Sequence, residues 1–208
     1  MKNLNLTIVF LIAISFISCS KDDNAQNEDY YIKGKVDGTS FDMGFSLDDE
    51  DPEYYFSSGF SGSIGGPSGC VLTYNPGIEP NWDESLPMLY FELNKFYSGG
   101  CSSESEGAVF NDLFPIGTYQ LNDNAHGVNI IYVPHSDEDL VYVSNIGTQT
   151  NASFKITSST EMNDETWNLY FQEISGTFNA RLYNEEDLND YIDITDGKFK
   201  IIVEAAYN

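Results

Sequence analysis

Residues 166–183 read TWNLYFQEISGTFNARLY, and residues 191–205 read YIDITDGKFKIIVEA. Apolar and polar side chains alternate with a period of two in both stretches. β-branched and aromatic residues dominate them, and no stripe of helical period appears. The first stretch reads as two strands or one long bent strand, with Gly176 as the bulge or bend. In the second, Tyr191–Ile194 is expected to pair with Lys198–Ala205 across Thr195-Asp196-Gly197, because Asp-Gly is a strong hairpin signal. Phe178 and Phe199 then fall in adjacent strands and can pack on one face.

The same alternation runs outward through the chain. Tyr31–Val36 and Thr39–Phe45 flank Asp37-Gly38, a second hairpin signal. Residues 53–60 (EYYFSSGF) form an aromatic run, and Ser57–Gly69, rich in Gly and Ser, reads as a loop or a fraying strand end. Cys70–Tyr74, Leu86–Phe96, residues 115–121 and Ala152–Ser158 read as strands. His126–Val133 with Asp139–Ser144 reads as a hairpin tipped by Pro134–Asp137. Only Glu185–Asp190 suits a helical turn. About a dozen short strands imply an all-β antiparallel sandwich or barrel-like body.

The first 30 residues have a different character. Lys2 precedes an apolar run, Ile8–Ile17, of about ten residues, half of what a membrane-spanning helix requires. The run ends in Phe16-Ile17-Ser18-Cys19, which resembles the lipobox of bacterial lipoproteins, with Phe16 where that family favours leucine. The resemblance implies a signal peptide over 1–18, cleavage before Cys19 and fatty acylation (palmitate and related chains) of Cys19. Two or more acyl chains anchor a protein stably, at about 0.8 kcal/mol per buried methylene. Residues 19–29 then form a lipidated, acidic, flexible tether. Within it, Ser20-Lys21-Asp22-Asp23 resembles the export signal of surface lipoproteins in the Bacteroidota. It implies a lipid bilayer partner and display on the outer face of the outer membrane, against the alternative of retention on the periplasmic face. The remaining stretch, 30–208, suits one domain with a full core.

Ile174-Ser175-Gly176-Thr177-Phe178-Asn179-Ala180, followed by Ile194-Thr195-Asp196-Gly197-Lys198-Phe199, resembles an uncharacterised lipoprotein domain family of the Bacteroidota. Val36-Asp37-Gly38 with Phe41, and Gly117-Thr118-Tyr119, are similar to its early hairpin and middle strand. The resemblance implies an envelope β-protein and carries over no catalytic residue.

Charge narrows the partners. The formal net charge is −24, with nine Lys and Arg against 33 Asp and Glu. Such a field repels nucleic-acid phosphates, so no nucleic-acid partner is expected. Of the three cysteines, Cys70 and Cys101 remain after Cys19 is assigned to lipid. In an oxidising envelope they suit a disulfide; the competing reading is a catalytic thiol, for which no histidine lies nearby in sequence.

Motifs for chemistry are sparse. Ser57–Gly69 matches neither GxGxxG, the P-loop nor the GxSxG elbow. His126 and His135 lack zinc-hydrolase spacing and sit at predicted turns. Asp48, Asp49 and Asp51 with Glu53 form the densest carboxylate cluster, a candidate Ca²⁺ site set against solvated loop charge. Asp137-Glu138-Asp139, Glu185-Glu186-Asp187 with Asp190, and Asn122-Asp123-Asn124 are further acidic or amide groups without EF-hand spacing. Glu92 and Glu173 are the carboxylates flanked by aromatics that a glycoside hydrolase would need as a pair. Trp82 and Trp167 are candidates for stacking on sugar rings, against cross-strand aromatic pairing within the sheet. The expectation is a non-catalytic binding or accessory module at the cell surface, with a glycan or envelope protein as partner. The rival readings are a carbohydrate-active hydrolase and a structural part of a surface assembly.

Overall fold

The computed structural model describes residues 28–66, 69–83, 85–97, 113–121, 125–135, 140–164 and 169–204. The chain forms β1 (Tyr30–Val36), β2 (Thr39–Phe45), β3 (Tyr54–Ser57), β4 (Phe60–Gly66), β5 (Gly69–Tyr74) and β6 (Gly77–Pro80). β7 (Met88–Tyr97), β8 (Gly117–Tyr119), β9 (Val128–Val133) and β10 (Tyr142–Val143) follow. Three long strands end it: β11 (Ser153–Asp164), β12 (Leu169–Asn184) and β13 (Tyr191–Glu204). No helix occurs among the described residues.

All thirteen strands belong to one sheet with antiparallel ladders, ordered β2-β1-β13-β12-β10-β9-β7-β5-β4. One edge of β12 is shared: residues 169–179 pair with β11, and Tyr183 and Asn184 pair with β10. The sheet folds over at that division. One layer is β2-β1-β13-β12-β11-β8; the other holds β10, β9, β7 and the β3–β6 segment, with β2 brought close to β3 and β6. The body is therefore all-β, a nearly closed, barrel-like sandwich.

Alternation sets the inner face. Ile174, Phe178, Ala180 and Leu182 of β12 point inward with Ile194, Phe199, Ile201 and Val203 of β13, and all are buried. Phe91 of β7 reaches across from the other layer. Its ring centroid lies 5.2 Å from Phe154, 5.4 Å from Phe178 and 5.2 Å from Phe199, in edge-on or tilted contacts. Phe154 and Phe199 stack at 4.9 Å. Edge and offset geometries are those aromatic quadrupoles favour. Phe178 and Phe199 share one face, as expected from the sequence.

The SGTF and ITDGKF segments have a common physical cause. Gly176 pairs with Phe199, and Phe178 pairs with Gly197. A Cβ on Gly176 would fall on the Lys155 carbonyl oxygen and within 2.7 Å of the Phe199 ring. A Cβ on Gly197 would come within 2.7 Å of the Phe178 ring. Each glycine makes room for the partner strand's phenylalanine, the arrangement in which an aromatic covers a strand glycine.

Four expectations are corrected. Thr195-Asp196-Gly197 is not a hairpin turn, because β13 runs unbroken through it between β1 and β12. Between the Phe178–Gly197 and Ala180–Ile194 pairs, β13 places Thr195 and Asp196 opposite Asn179 alone. On its other edge it places Asp196 and Gly197 opposite Gly34. Asp196 takes the left-handed conformation, φ 55°, so the same Asp-Gly chemistry that makes a turn here makes a bulge. Gly176 lies beside a bulge rather than forming one; the extra residue is Thr157 of β11. Phe60–Gly66 of the Gly/Ser-rich stretch is a strand, held by pairing with β5. Glu185–Asp190 forms bends and a turn without helix. Asp37-Gly38, with φ of 48° and 83°, makes the two-residue hairpin turn the sequence indicated.

Candidate functional site

The β13 bulge opens the outer face of the long-stranded layer. A basin of about 730 Å³ lies over β2, β1, β13 and β12, with Lys33, Lys35, Asp42, Thr177, Asn179 and Lys198 in its lining. A second hollow of about 380 Å³ continues it toward Asn151, Arg181 and Asp193. The two adjoin at Asn179 and Asp196, and together they make up a trough across the bulge. Asn179 holds the bulge open: its Oδ1 accepts the Asp196 N–H at 3.0 Å, and its Nδ2 donates to Ser153 Oγ at 3.2 Å.

Ion pairs order the walls. Lys35 Nζ donates to Asp196 Oδ2 at 2.8 Å. This bond raises the Lys35 ammonium and holds the Asp196 carboxyl below the usual carboxylate range. Arg181 grips Asp193 with two parallel bonds of 2.8 Å and lies 4.1 Å over the half-exposed Tyr191 ring. The Arg181 guanidinium keeps the Asp193 carboxyl low. Lys33 meets Glu28 at 3.0 Å and Asp42 at 3.5 Å, with its ammonium 4.2 Å over Tyr31. Partial burial pulls the Lys33 ammonium down, and the bond to Glu28 with the charge of Asp42 raises it further than that. Solvent screens pairs at such a surface, so their main effect is to fix the positions of charge.

The residues singled out from sequence fall elsewhere. Asp48, Asp49, Asp51 and Glu53 are exposed on the β2–β3 connection, where Asp49 Oδ1 accepts the Asp51 N–H at 3.1 Å. Among the described residues no group of three or more His, Cys, Asp or Glu comes together to hold a metal. Glu92 and Glu173 are not brought together. Each alternates with inward residues of its own strand, so they face outward from opposite layers. Glu92 accepts from Asn129 Nδ2 at 2.8 Å, and Glu173 meets Lys200 at 3.4 Å. His126 is exposed with its ring near Phe96, and the exposed His135 lies with Nδ1 3.0 Å from the Ser85 carbonyl oxygen. Trp82 is 94% exposed with φ 67°, in the turn where the Asn81 N–H donates to the Glu53 carbonyl. Cys70 is buried on β5 opposite Tyr97. Cys19, Ser20, Lys21, Asp22, Asp23, Cys101, Trp167, the 122–124 segment and the Asp137–Asp139 cluster lie outside the described residues.

Sequence reasoning missed the trough. Its signal is two Lys-x-Lys pairs, Lys33/Lys35 and Lys198/Lys200, in a chain with only nine basic residues. In a strand, i and i+2 share a face, so each pair projects together. Their convergence depends on register: Lys33 of β1 pairs directly with Lys198 of β13. No protein-family model, curated protein or solved structure matches this chain.

Proposed function

We propose that this chain is a lipid-anchored protein of a bacterial outer membrane, displayed on the cell surface, and that its β body is a non-catalytic binding module. The observation that carries the binding reading is the trough over the β13 bulge. It is wide, open and lined by donors and acceptors held by neighbours. Such sites bind by complementarity of convergent polar groups. The outward, opposed positions of Glu92 and Glu173 weigh against the hydrolase alternative, which needs two carboxyls across one cleft. The anchor reading is supported by the leader ending at Cys19 and by the acidic tether. Membership among the uncharacterised Bacteroidota lipoprotein domains is supported by the paired Gly-x-Phe segments. A Cys70–Cys101 disulfide belongs to the same reading and closes a loop worth about 3–4 kcal/mol in the chain-entropy model.

Three measurements test it. Cys19→Ala should move the protein from the membrane to the soluble fraction; retention in the membrane refutes the anchor. Surface labelling of intact cells separates the outer from the periplasmic face. The Cys19→Ala chain, applied to arrayed envelope glycans with and without calcium, should bind a subset of them. Thr177→Trp, which fills the basin, should abolish that binding, and Thr160→Trp, on β11 outside the lining, should leave it unchanged. Binding insensitive to Thr177→Trp rules the trough out.

A further inference from the structure

The distribution of positive charge carries a second conclusion. Six of the nine basic residues, Lys33, Lys35, Lys155, Arg181, Lys198 and Lys200, alternate with inward side chains on β1, β11, β12 and β13. They therefore share one outer face of a chain whose net charge is −24. Four of them are matched locally: Lys33 by Glu28 and Asp42, Lys35 by Asp196, Arg181 by Asp193, and Lys200 by Glu173.

Lys198 and Lys155 are different. Both are exposed, and neither forms an ion pair with a described carboxylate. The ladders align them: Lys33 pairs with Lys198, Lys198 with Thr177, and Thr177 with Lys155. At about 4.8 Å per strand, Lys33 and Lys198 are immediate neighbours, and Lys155 lies about 10 Å beyond Lys198 with the Thr177 hydroxyl between. Like charges directly opposed across a ladder destabilise it. In a chain with 33 acidic residues, two ammonium groups with no ion pair among the described residues, Lys198 feeling only the more distant charge of Asp196, are a poor arrangement for the sheet alone when set beside a third. They are a good one for a ligand that supplies the missing negative charge.

We infer that the Lys33–Lys198–Thr177–Lys155 row is a binding site for a polyvalent oxyanion, a ligand bearing sulfate, phosphate or carboxylate groups spaced along a chain. This rests on the trough being the binding surface, because Lys33, Thr177 and Lys198 are in its lining. The row works at short range. Net charge repels a polyanion at a distance, but screening confines that repulsion to a Debye length of about 8 Å at physiological salt. Inside it, the ammonium row dominates locally.

The test uses the full chain carrying Cys19→Ala, with dextran sulfate, polyphosphate, polygalacturonate and uncharged dextran immobilised in parallel. At about 50 mM salt the chain should bind at least one of the three polyanions and not uncharged dextran, and about 300 mM salt should weaken that binding. The three polyanions identify the acid group. Lys198→Gln with Lys155→Gln should weaken binding by roughly tenfold or more and flatten its salt dependence, since two ionic contacts are lost. Lys95→Gln, on β7 in the other layer, should change it by less than about twofold. Circular dichroism of each variant checks that the fold is kept. Binding to none of the polyanions, or binding unaffected by the double substitution, overturns the inference. If a glycan ligand is lost with Thr177→Trp but unaffected by Lys198→Gln and Lys155→Gln, the trough stands and the oxyanion row falls.

Discussion

The two layers of this sandwich are built differently. In the layer of β1, β11, β12 and β13, ladders run long: β12 and β13 pair from Phe171–Glu204 to Tyr183–Tyr191 with one bulge. In the other layer strands are short and handed on. One edge of β7 is covered first by β6, at Tyr90 and Leu89, and then by β5, from Leu93 to Tyr97. Asn75 and Pro76 separate those two strands, and the Pro76 carbonyl accepts the Phe91 N–H at 2.9 Å. A long ladder fixes register over many residues, so side chains on its outer face stand in rows at defined spacing. A patched layer cannot do this as well, and what it contributes is burial: Phe91 against three rings, and β9 buried along its whole length. The trough accordingly sits on the long-stranded layer.

This contrast can be broken from either side. The largest expected effect is Phe91→Ala, which removes the short-stranded layer's contact with Phe154, Phe178 and Phe199 and leaves a cavity. It should cost about 3–5 kcal/mol in urea unfolding. Gly176→Ala comes next. Its Cβ has no room beside the Lys155 carbonyl and the Phe199 ring, and a loss of about 2–3 kcal/mol is expected. Gly59→Ala, between β3 and β4, is the matched control, because a Cβ there meets only Asn75 atoms at 3.6 and 3.7 Å. It should change stability by about 0.5 kcal/mol or less. Equal losses at Gly176 and Gly59 would remove the distinction between a register-critical glycine and a permissive one.

The smallest effect is a titration. The folded Asp193 carboxyl is held below its ordinary value of 3.8 by Arg181. A depressed folded value means the stabilisation is fully present above about pH 4 and is lost as pH falls through the lower, folded value. The pair is only partly buried, so solvent screens it and its contribution is small. Asp193→Asn should reduce the acid-side slope of stability and leave the neutral plateau nearly unchanged. A mutant whose acid-side slope equals that of the unmodified chain would mean that the pair does not form in solution.

Much of the architecture was legible locally. Alternation located β1, β2, β5, β7 and the long C-terminal strands, because the inward and outward faces of a half-buried strand impose different chemistry at period two, whereas β9 and β10, buried at every position, were marked by apolar runs on either side of a turn. Asp37-Gly38 and Asp196-Gly197 show where local reading stops. The dipeptides have the same tolerance for positive φ, yet one turns the chain and the other kinks a continuous strand. Val36 and Thr39 pair with each other across the first. The second is flanked on both edges by β1 and β12, which carry the ladder through it. The Gly/Ser-rich β4 was hidden for a related reason: its weak intrinsic preference is overridden by its neighbour β5.

By itself, then, the order of residues determined the class of body, the inward set of side chains and the scarcity of positive charge. Those are properties of single positions and near neighbours. Tertiary structure alone decided that Lys33 meets Lys198, that Thr177 and Lys155 continue their row, and that Asn179 holds the bulge open beside them. The first depends on register between strands more than a hundred residues apart in the chain, and the others on the bulged registers of β11, β12 and β13; no local pattern encodes which ladder partner a given residue will meet.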